Sequence, residues 1–191
     1  MTDFVREYHN VLSGEACELF CAFFDKVVDG KIVTIHKGEE HNGGANNRVD
    51  DAIFLQNVDA ARARIISDIV KDCWDKYIEE FSFLRDYPVI SHTMKFQRTP
   101  PSGGFHAWHW EHSSSVEFRS RMAVWTLYLT DHEDEGETEF LAYGRRVKAE
   151  AGKFCIFPAD YTAVHRGNPI YTKPKYILTG WYEQYFGGLR S

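Results

Sequence analysis

Between residues 13 and 30 apolar side chains return at steps of three and four: Ala16, Phe20, Phe23 and Val27. That spacing predicts an amphipathic helix, with Ser13 as a good N-cap and Gly30 to stop it. A second stripe runs from about 60 to 81 behind a capping Asp59, through Ile66, Val70, Cys73, Tyr77 and Phe81. Between the two, residues 31–35 and 52–55 read as short strands. Residues 36–51 hold Gly38, Gly43, Gly44, Asn46 and Asn47 and hardly an apolar side chain. They read as a long mobile loop, a form often used as a lid.

From residue 87 the pattern changes. Residues 89–96, 105–112, 123–130, 154–157 and 176–182 are rich in β-branched and aromatic types, with Gly, Pro, Asp and Asn clusters between them. Strands at this spacing suggest a sandwich or barrel. No repeat or linker divides the chain. It reads as one domain over 1–191, mainly β, with helical support and N-terminal strands in 1–86 and a strand-rich core over 89–184.

Composition narrows the classes. The chain has 191 residues, with 22 basic and 28 acidic side chains and a formal net charge of −6. Without a basic block, a nucleic-acid partner held through phosphates is not expected. No apolar run reaches the roughly 18 residues of a membrane span, and the start lacks a secretory signal, so a cytoplasmic protein is expected. Cys17, Cys21, Cys73 and Cys155 fall in apolar stretches and read as reduced core fillers. The acidic run of Asp131, Glu133, Asp134, Glu135, Glu137 and Glu139 reads as a solvated turn, and Arg145 and Arg146 as surface charges.

Chemistry concentrates in residues 103–112, Gly-Gly-Phe-His-Ala-Trp-His-Trp-Glu-His. Read as a strand, alternation puts Phe105, Ala107, His109 and Glu111 on one face and His106, Trp108, Trp110 and His112 on the other. An imidazole and a carboxylate two residues apart can reach one metal ion, and His165 is the obvious third ligand. Two histidines and a carboxylate leave three octahedral positions open, unlike a closed structural zinc site. If the strand were irregular, His106, His109 and His165 would instead form a three-histidine site suited to hydrolytic zinc. Ten residues past His165, Lys175 opens a strand on which Lys175, Ile177, Thr179 and Trp181 share a face. An inward cation calls for an anion. Beside an open metal, 2-oxoglutarate answers both needs, chelating at one end and carrying a carboxylate at the other.

The order His109-x-Glu111, His165, Lys175 resembles the Fe(II)/2-oxoglutarate-dependent dioxygenase superfamily, in its prolyl 4-hydroxylase-like branch. Residues 121–130 are similar to that branch's strand ending in Tyr-Leu-Asn, and 136–140 to its Gly-Gly-Glu-Thr-x-Phe turn. Residues 152–158 are similar to its Gly-x-x-x-x-Phe-Pro approach to the distal histidine, and 175–182 to its Lys-Tyr-x-x-x-x-Trp strand. Short phage and bacterial members with a Trp-His-x-Glu strand look most alike. Two departures stand out: Glu111 replaces the usual Asp, and the tyrosine that relatives place before the first ligand has no clear counterpart, with Gln97 or Arg98 in its stead.

The resemblance implies a double-stranded β-helix, a cupin-like jelly roll, with the dioxygenase core over 89–184. It implies His109, Glu111 and His165 as catalytic iron ligands, and Lys175 on the distal carboxylate of 2-oxoglutarate, helped by Tyr128 and Thr179. Trp181 would pack beside the cosubstrate. The implied cofactors are Fe(II), 2-oxoglutarate and O2, with ascorbate as a supporting reductant. The implied reaction is hydroxylation of an unactivated C–H bond, a prolyl residue in a peptide or protein leading. The same chemistry on another amino acid or small molecule, and a cupin-like module without oxygen chemistry, are the other readings. Oligomeric state is not readable.

Overall fold

The computed structural model describes residues 3–33, 35–37, 48–112 and 118–185. Helix α1 is Gly14–Asp29, and Ser13 accepts a hydrogen bond from the Ala16 N–H at 3.2 Å. It buries Cys17, Phe20, Phe24, Val27 and Val28, so Phe24 rather than Phe23 centres the stripe. Gly30 ends the helix with an ordinary φ of −74°, and Lys31 takes the left-handed turn at 53°. A Cβ on Gly30 would stand 2.6 Å from the Lys26 carbonyl, so close approach explains the glycine. The short α2 (Leu55–Val58) leads into α3 (Ala60–Glu80), whose cap Asp59 accepts from the Arg62 N–H at 2.9 Å. Among the described residues no helix is long and apolar enough to cross a membrane.

The strands are β1 (Arg6–Tyr8), β2 (His36–Lys37), β3 (Arg48–Val49), β4 (Asp51–Phe54), β5 (Val89–Ile90), β6 (Lys95–Thr99) and β7 (Gly104–Phe105). Then follow β8 (Arg121–Tyr128), β9 (Thr138–Phe140), β10 (Arg145–Val147), β11 (Phe154–Pro158), β12 (His165–Gly167) and β13 (Lys175–Gln184). The main sheet runs β1-β11-β8-β13-β6-β4-β2, with β5 also on β13. A three-stranded sheet, β10-β9-β12, and the pair β3-β7 complete the set, and every pairing is antiparallel.

Strand alternation divides the apolar residues between two layers. Trp125, Leu127, Phe154, Ile156, Phe96 and Leu178 face the helices and pack with Phe20, Phe24, Ile66, Val70 and Trp74. Val124, Tyr128 and Phe157 face the other way and pack with Phe140 and Val147 of the small sheet. Each fully buried large apolar side chain contributes about 1.5–3 kcal/mol, which ties helices, main sheet and small sheet together. This is the helix-backed jelly roll that the sequence predicts. The four cysteines are free, and Cys17, Cys73 and Cys155 are buried, as expected of core fillers.

Several local expectations are corrected. The described residues of 31–35 are in no strand; the pairing begins at His36–Lys37, inside the segment read as a loop. That segment also supplies β3 and the first residue of β4, and its middle, 38–47, lies outside the described residues. The strand expected over 89–96 is broken into β5 and β6. The acidic run is solvated only in part: Asp131, Glu133 and Asp134 are exposed, whereas Glu135 and Glu137 are buried. Glu135 is buried and accepts from the Tyr171 N–H at 2.8 Å and from the Thr172 hydroxyl, while His132 lies against it at 3.1 Å. Glu139 accepts from Arg166 and Arg146. Arg145 is half-buried and holds Asp3 and Glu7 at 2.9 and 2.7 Å. Most of their partners lie far along the chain, so composition alone misreads them.

Candidate active site

The cavity between the two sheets, about 440 Å³, is walled by alternate residues of the inner strands. Strand β6 supplies Lys95, Gln97 and Thr99; β8 supplies Val124 and Thr126; β13 supplies Lys175, Ile177, Thr179 and Trp181. Thr138, His165 and Gly167 come from the small sheet. A period of two on three neighbouring strands puts these side chains on one face.

His109 and Glu111 reach the same cavity by a less regular route than alternation predicts. Only Gly104–Phe105 pairs as a strand, against Arg48–Val49. The chain then leaves the ladder and returns at one isolated antiparallel bridge, His109 to His165. Beyond it, the Glu111 and His112 N–H groups both donate to the Ala159 carbonyl, at 2.9 and 2.8 Å. Trp110, expected on the opposite face, therefore lines the cavity beside His109 and Glu111.

Among the described residues, His109, Glu111 and His165 form the one group with metal-ligand spacing, their ligand atoms all within 4.8 Å of one another. His106 is not part of it; its Nδ1 lies 2.9 Å from the Gly167 carbonyl. The Nδ1 atoms of His109 and His165 lie 2.8 and 3.0 Å from the carbonyls of Ala107 and Ala163. A carbonyl can only accept, so each Nδ1 carries the proton and each Nε2 presents a lone pair to the cavity. Burial pushes His165 down to about 4, aided by His109 and opposed by Glu111, so the ring is neutral at neutral pH. Burial also pushes Glu111 upward. Its close approach to His109 and the fields of His165, His109 and Arg121 outweigh that and bring it to about 2. Two imidazoles and an ionised carboxylate make a mixed nitrogen and oxygen donor set fit for Fe(II).

Glu111 is itself held. Its Oε2 accepts from Arg121 Nη1 at 3.0 Å and from Trp181 Nε1 at 3.1 Å, while Oε1 lies 3.6 Å from His109 Nε2. Trp181, expected only to pack beside a cosubstrate, is thus a hydrogen-bond donor to the carboxylate. Arg121 stacks on its ring at 3.6 Å and on Phe118 at 4.1 Å. Sequence reading passed Arg121 over as the first residue of a strand. Its signal was an arginine opening a run of apolar residues.

Lys175 is buried at the other side of the cavity, where its Nζ donates to the Gly136 carbonyl at 2.8 Å. An ammonium has three donors, and one neutral acceptor leaves it short of partners. Burial pushes it down to about 8, against the field of Glu137. Gly136 has φ +69°, and a Cβ there would stand 2.5 Å from Ile170 Cγ2, so only glycine brings this carbonyl to the lysine. Thr179 lines the cavity, with its hydroxyl donating to the Trp125 carbonyl at 2.8 Å. Tyr128 does not line it: the side chain is buried between the sheets and its hydroxyl pairs at 2.7 Å with that of Thr138, which does. Gln97 and Arg98 separate clearly. Gln97 faces the cavity and donates to Asp50, whereas Arg98 faces α1 and pairs with Asp25, Asp29 and Asp51. Sequence reading also missed Asp50 and Trp110, each brought in by a turn or a pairing rather than by a motif, and Thr138, the threonine of the 136–140 turn.

Comparison with known proteins agrees with this arrangement. Residues 94–183 match the family model of the 2OG-Fe(II) oxygenase superfamily. No curated protein matches the chain in sequence. In structure the chain is similar to a Pseudomonas putida prolyl-4-hydroxylase, with a TM-score of 0.74 at 18% identity, covering 96% of this chain and 94% of that one. A collagen prolyl hydroxylase from Paramecium Bursaria Chlorella virus-1, solved as its 2OG complex, gives 0.68 at 15%, covering 96% and 97%. A Trichoplax adhaerens prolyl hydroxylase, solved with a peptide fragment of the hypoxia inducible factor oxygen degradation domain, gives 0.69 at 18%, covering 96% and 84%. Such identities speak for the fold, and the family match speaks for the chemistry. Residues 94–183 thus form a 2OG-Fe(II) oxygenase domain, and the protein is a dioxygenase of prolyl 4-hydroxylase-like architecture that works with Fe(II), 2-oxoglutarate and O2.

Proposed function

We propose that the chain hydroxylates a prolyl residue in a peptide or protein, with His109, Glu111 and His165 holding the iron and Lys175 pairing with the distal carboxylate of 2-oxoglutarate. The observation that carries this reading is the juxtaposition of the two-histidine, one-carboxylate set with a buried, under-partnered lysine across one cavity. When bound, iron and 2-oxoglutarate supply the oxidising power: O2 is consumed, the cosubstrate becomes succinate and CO2, and one oxygen atom enters a C–H bond. The chain's own residues do the rest. His109 and His165 offer fixed Nε2 lone pairs, Glu111 neutralises charge, and Lys175 sets the cosubstrate's orientation. Gln97 and Thr179 line the wall beside it. The apolar faces of Ile177, Val124 and Phe157 limit water.

A peptide substrate is supported by the length over which the chain follows three prolyl hydroxylases, one of them solved with a peptide. Trp110, about half exposed on the cavity rim, gives such a peptide an apolar surface to meet. The test is an anaerobic titration with Fe(II) and then 2-oxoglutarate, followed by aerobic reaction with proline-containing peptides. A visible charge-transfer band that is lost in His109→Ala, together with a single added oxygen on proline by mass, is the expected result. A band with no oxidised peptide would move the reading to a small-molecule substrate. Iron binding without a band would leave only a cupin-like metal module.

A further inference from the structure

Glu111 is one methylene longer than aspartate, so its carboxylate has an extra torsion to fix before one oxygen can be offered reproducibly to a metal. Here that freedom is removed by two donors on the same atom. Oε2 accepts from Arg121 Nη1 at 3.0 Å and from Trp181 Nε1 at 3.1 Å. The grip extends to the main chain, since Arg121 Nη1 also reaches the Glu111 carbonyl at 3.3 Å. The donors are themselves rigid. The guanidinium lies over the Trp181 ring at 3.6 Å and over Phe118 at 4.1 Å, and the arginine side chain is only 11% exposed. Trp181 sits on β13 opposite Val124 of β8, the strand that Arg121 opens, so both donors rest on the main sheet.

From this geometry we infer that Arg121 and Trp181 are positioning residues for the metal site: they occupy Oε2 of Glu111 and so assign Oε1, the oxygen beside His109 Nε2, as the metal-binding atom. The inference rests on the reading of Glu111 as a ligand and deepens it. It explains how glutamate serves where aspartate is usual, since the longer side chain spans the distance between this donor pair and the histidines. Outer partners that orient a ligating group commonly change metal affinity by about 10- to 100-fold when removed.

The test is a set of Mn(II) dissociation constants measured calorimetrically on the full-length apo-protein, with Co(II) absorption spectra as a second readout. Trp181→Phe keeps an aromatic ring under the guanidinium and deletes one donor. It raises the Mn(II) constant several-fold and shifts the Co(II) bands. Arg121→Met deletes the other donor and raises the constant by about 10-fold or more. The decisive comparison is a double-mutant cycle. In a Glu111→Asp background the shorter carboxylate no longer meets the indole, so adding Trp181→Phe changes nothing further. An equal loss in both backgrounds, or an unchanged constant in Trp181→Phe, would overturn the inference while leaving the metal site standing. A wild-type protein that binds no Mn(II) would instead remove the metal reading itself. Should Arg121→Met fail to fold, the Trp181 cycle decides alone.

Discussion

His109 and His165 exchange both backbone hydrogen bonds, N–H to carbonyl at 3.0 Å one way and 2.9 Å the other, and their rings stand 4.4 Å apart. The separation of the two proposed nitrogen ligands is therefore set by a peptide ladder rather than by side-chain rotamers. A site built this way is ready before metal arrives. Mn(II) at about 100 times its dissociation constant then stabilises the fold by about 2.7 kcal/mol. The expected result is a rise in Tm of several degrees on adding Mn(II), reversed by chelator and absent in His165→Ala. No metal-dependent shift in the wild type would count against the site.

The buried lysine predicts how cosubstrate affinity depends on pH. Lys175 stands at about 8 in the free protein, and it must be protonated to pair with a carboxylate. Below that value the ammonium is already present. Above it, binding must take up a proton, so the dissociation constant of 2-oxoglutarate rises about fivefold between pH 8 and pH 9 and approaches about tenfold per unit beyond that. Calorimetry on the Mn(II)-loaded protein measures this directly, and a flat profile to pH 9 would exclude Lys175 as the partner.

The same lysine should burden the empty fold. An unfolded chain keeps lysine near the ordinary 10.5, so between about 8 and 10.5 it binds more protons than the folded one, and stability rises with pH there. Below 8 the penalty is fully present, on the order of 3 kcal/mol. Lys175→Met is expected to raise Tm at pH 7 by several degrees and to flatten the stability profile above pH 8, while 2-oxoglutarate binding collapses. A lower Tm would mean that the Gly136 contact outweighs desolvation.

Gly136→Ala attacks the partner of that lysine without touching a charge. At φ +69° any Cβ is strained, and this one would also meet Ile170 at 2.5 Å. A destabilisation of about 1–3 kcal/mol is expected in chemical denaturation, with weaker 2-oxoglutarate binding as the carbonyl shifts. Unchanged stability would show that the turn can relax.

Gln97 and Arg98 give a paired experiment. Gln97→Ala opens the cavity wall and should alter 2-oxoglutarate affinity. Arg98→Met should leave that affinity unchanged and lower Tm, since three aspartates lose their common partner. The opposite pattern in isothermal titration and melting would reverse the assignment.

Much of this was legible in the chain because local and distant requirements coincided. Ser13 and Asp59 cap helices whose stripes do face the sheet, and Lys175, Thr179 and Trp181 share the face that period two assigns them. What escaped depends on partners remote in sequence. Trp110 enters the cavity because the chain pairs only at Phe105 and His109, which no alternation rule anticipates. Tyr128 has the right parity on its strand, yet Thr138 takes its hydroxyl. Glu135 looks like a solvated acid until Thr172 and Tyr171 arrive from another turn.

Strand β1 has only three residues, yet it hydrogen-bonds along Phe154–Ile156 of β11, a stretch that is buried and almost wholly apolar. Arg145 and Lys153 clamp it there through Glu7, with Arg145 also on Asp3. Peel β1 away and a row of unsatisfied amides appears beside Phe154, Cys155 and Ile156, a template on which a second molecule can add a strand. The charged clasp at Glu7 is therefore a guard against self-association as much as a brace. Its loss should show first as aggregation, before any loss of chemistry.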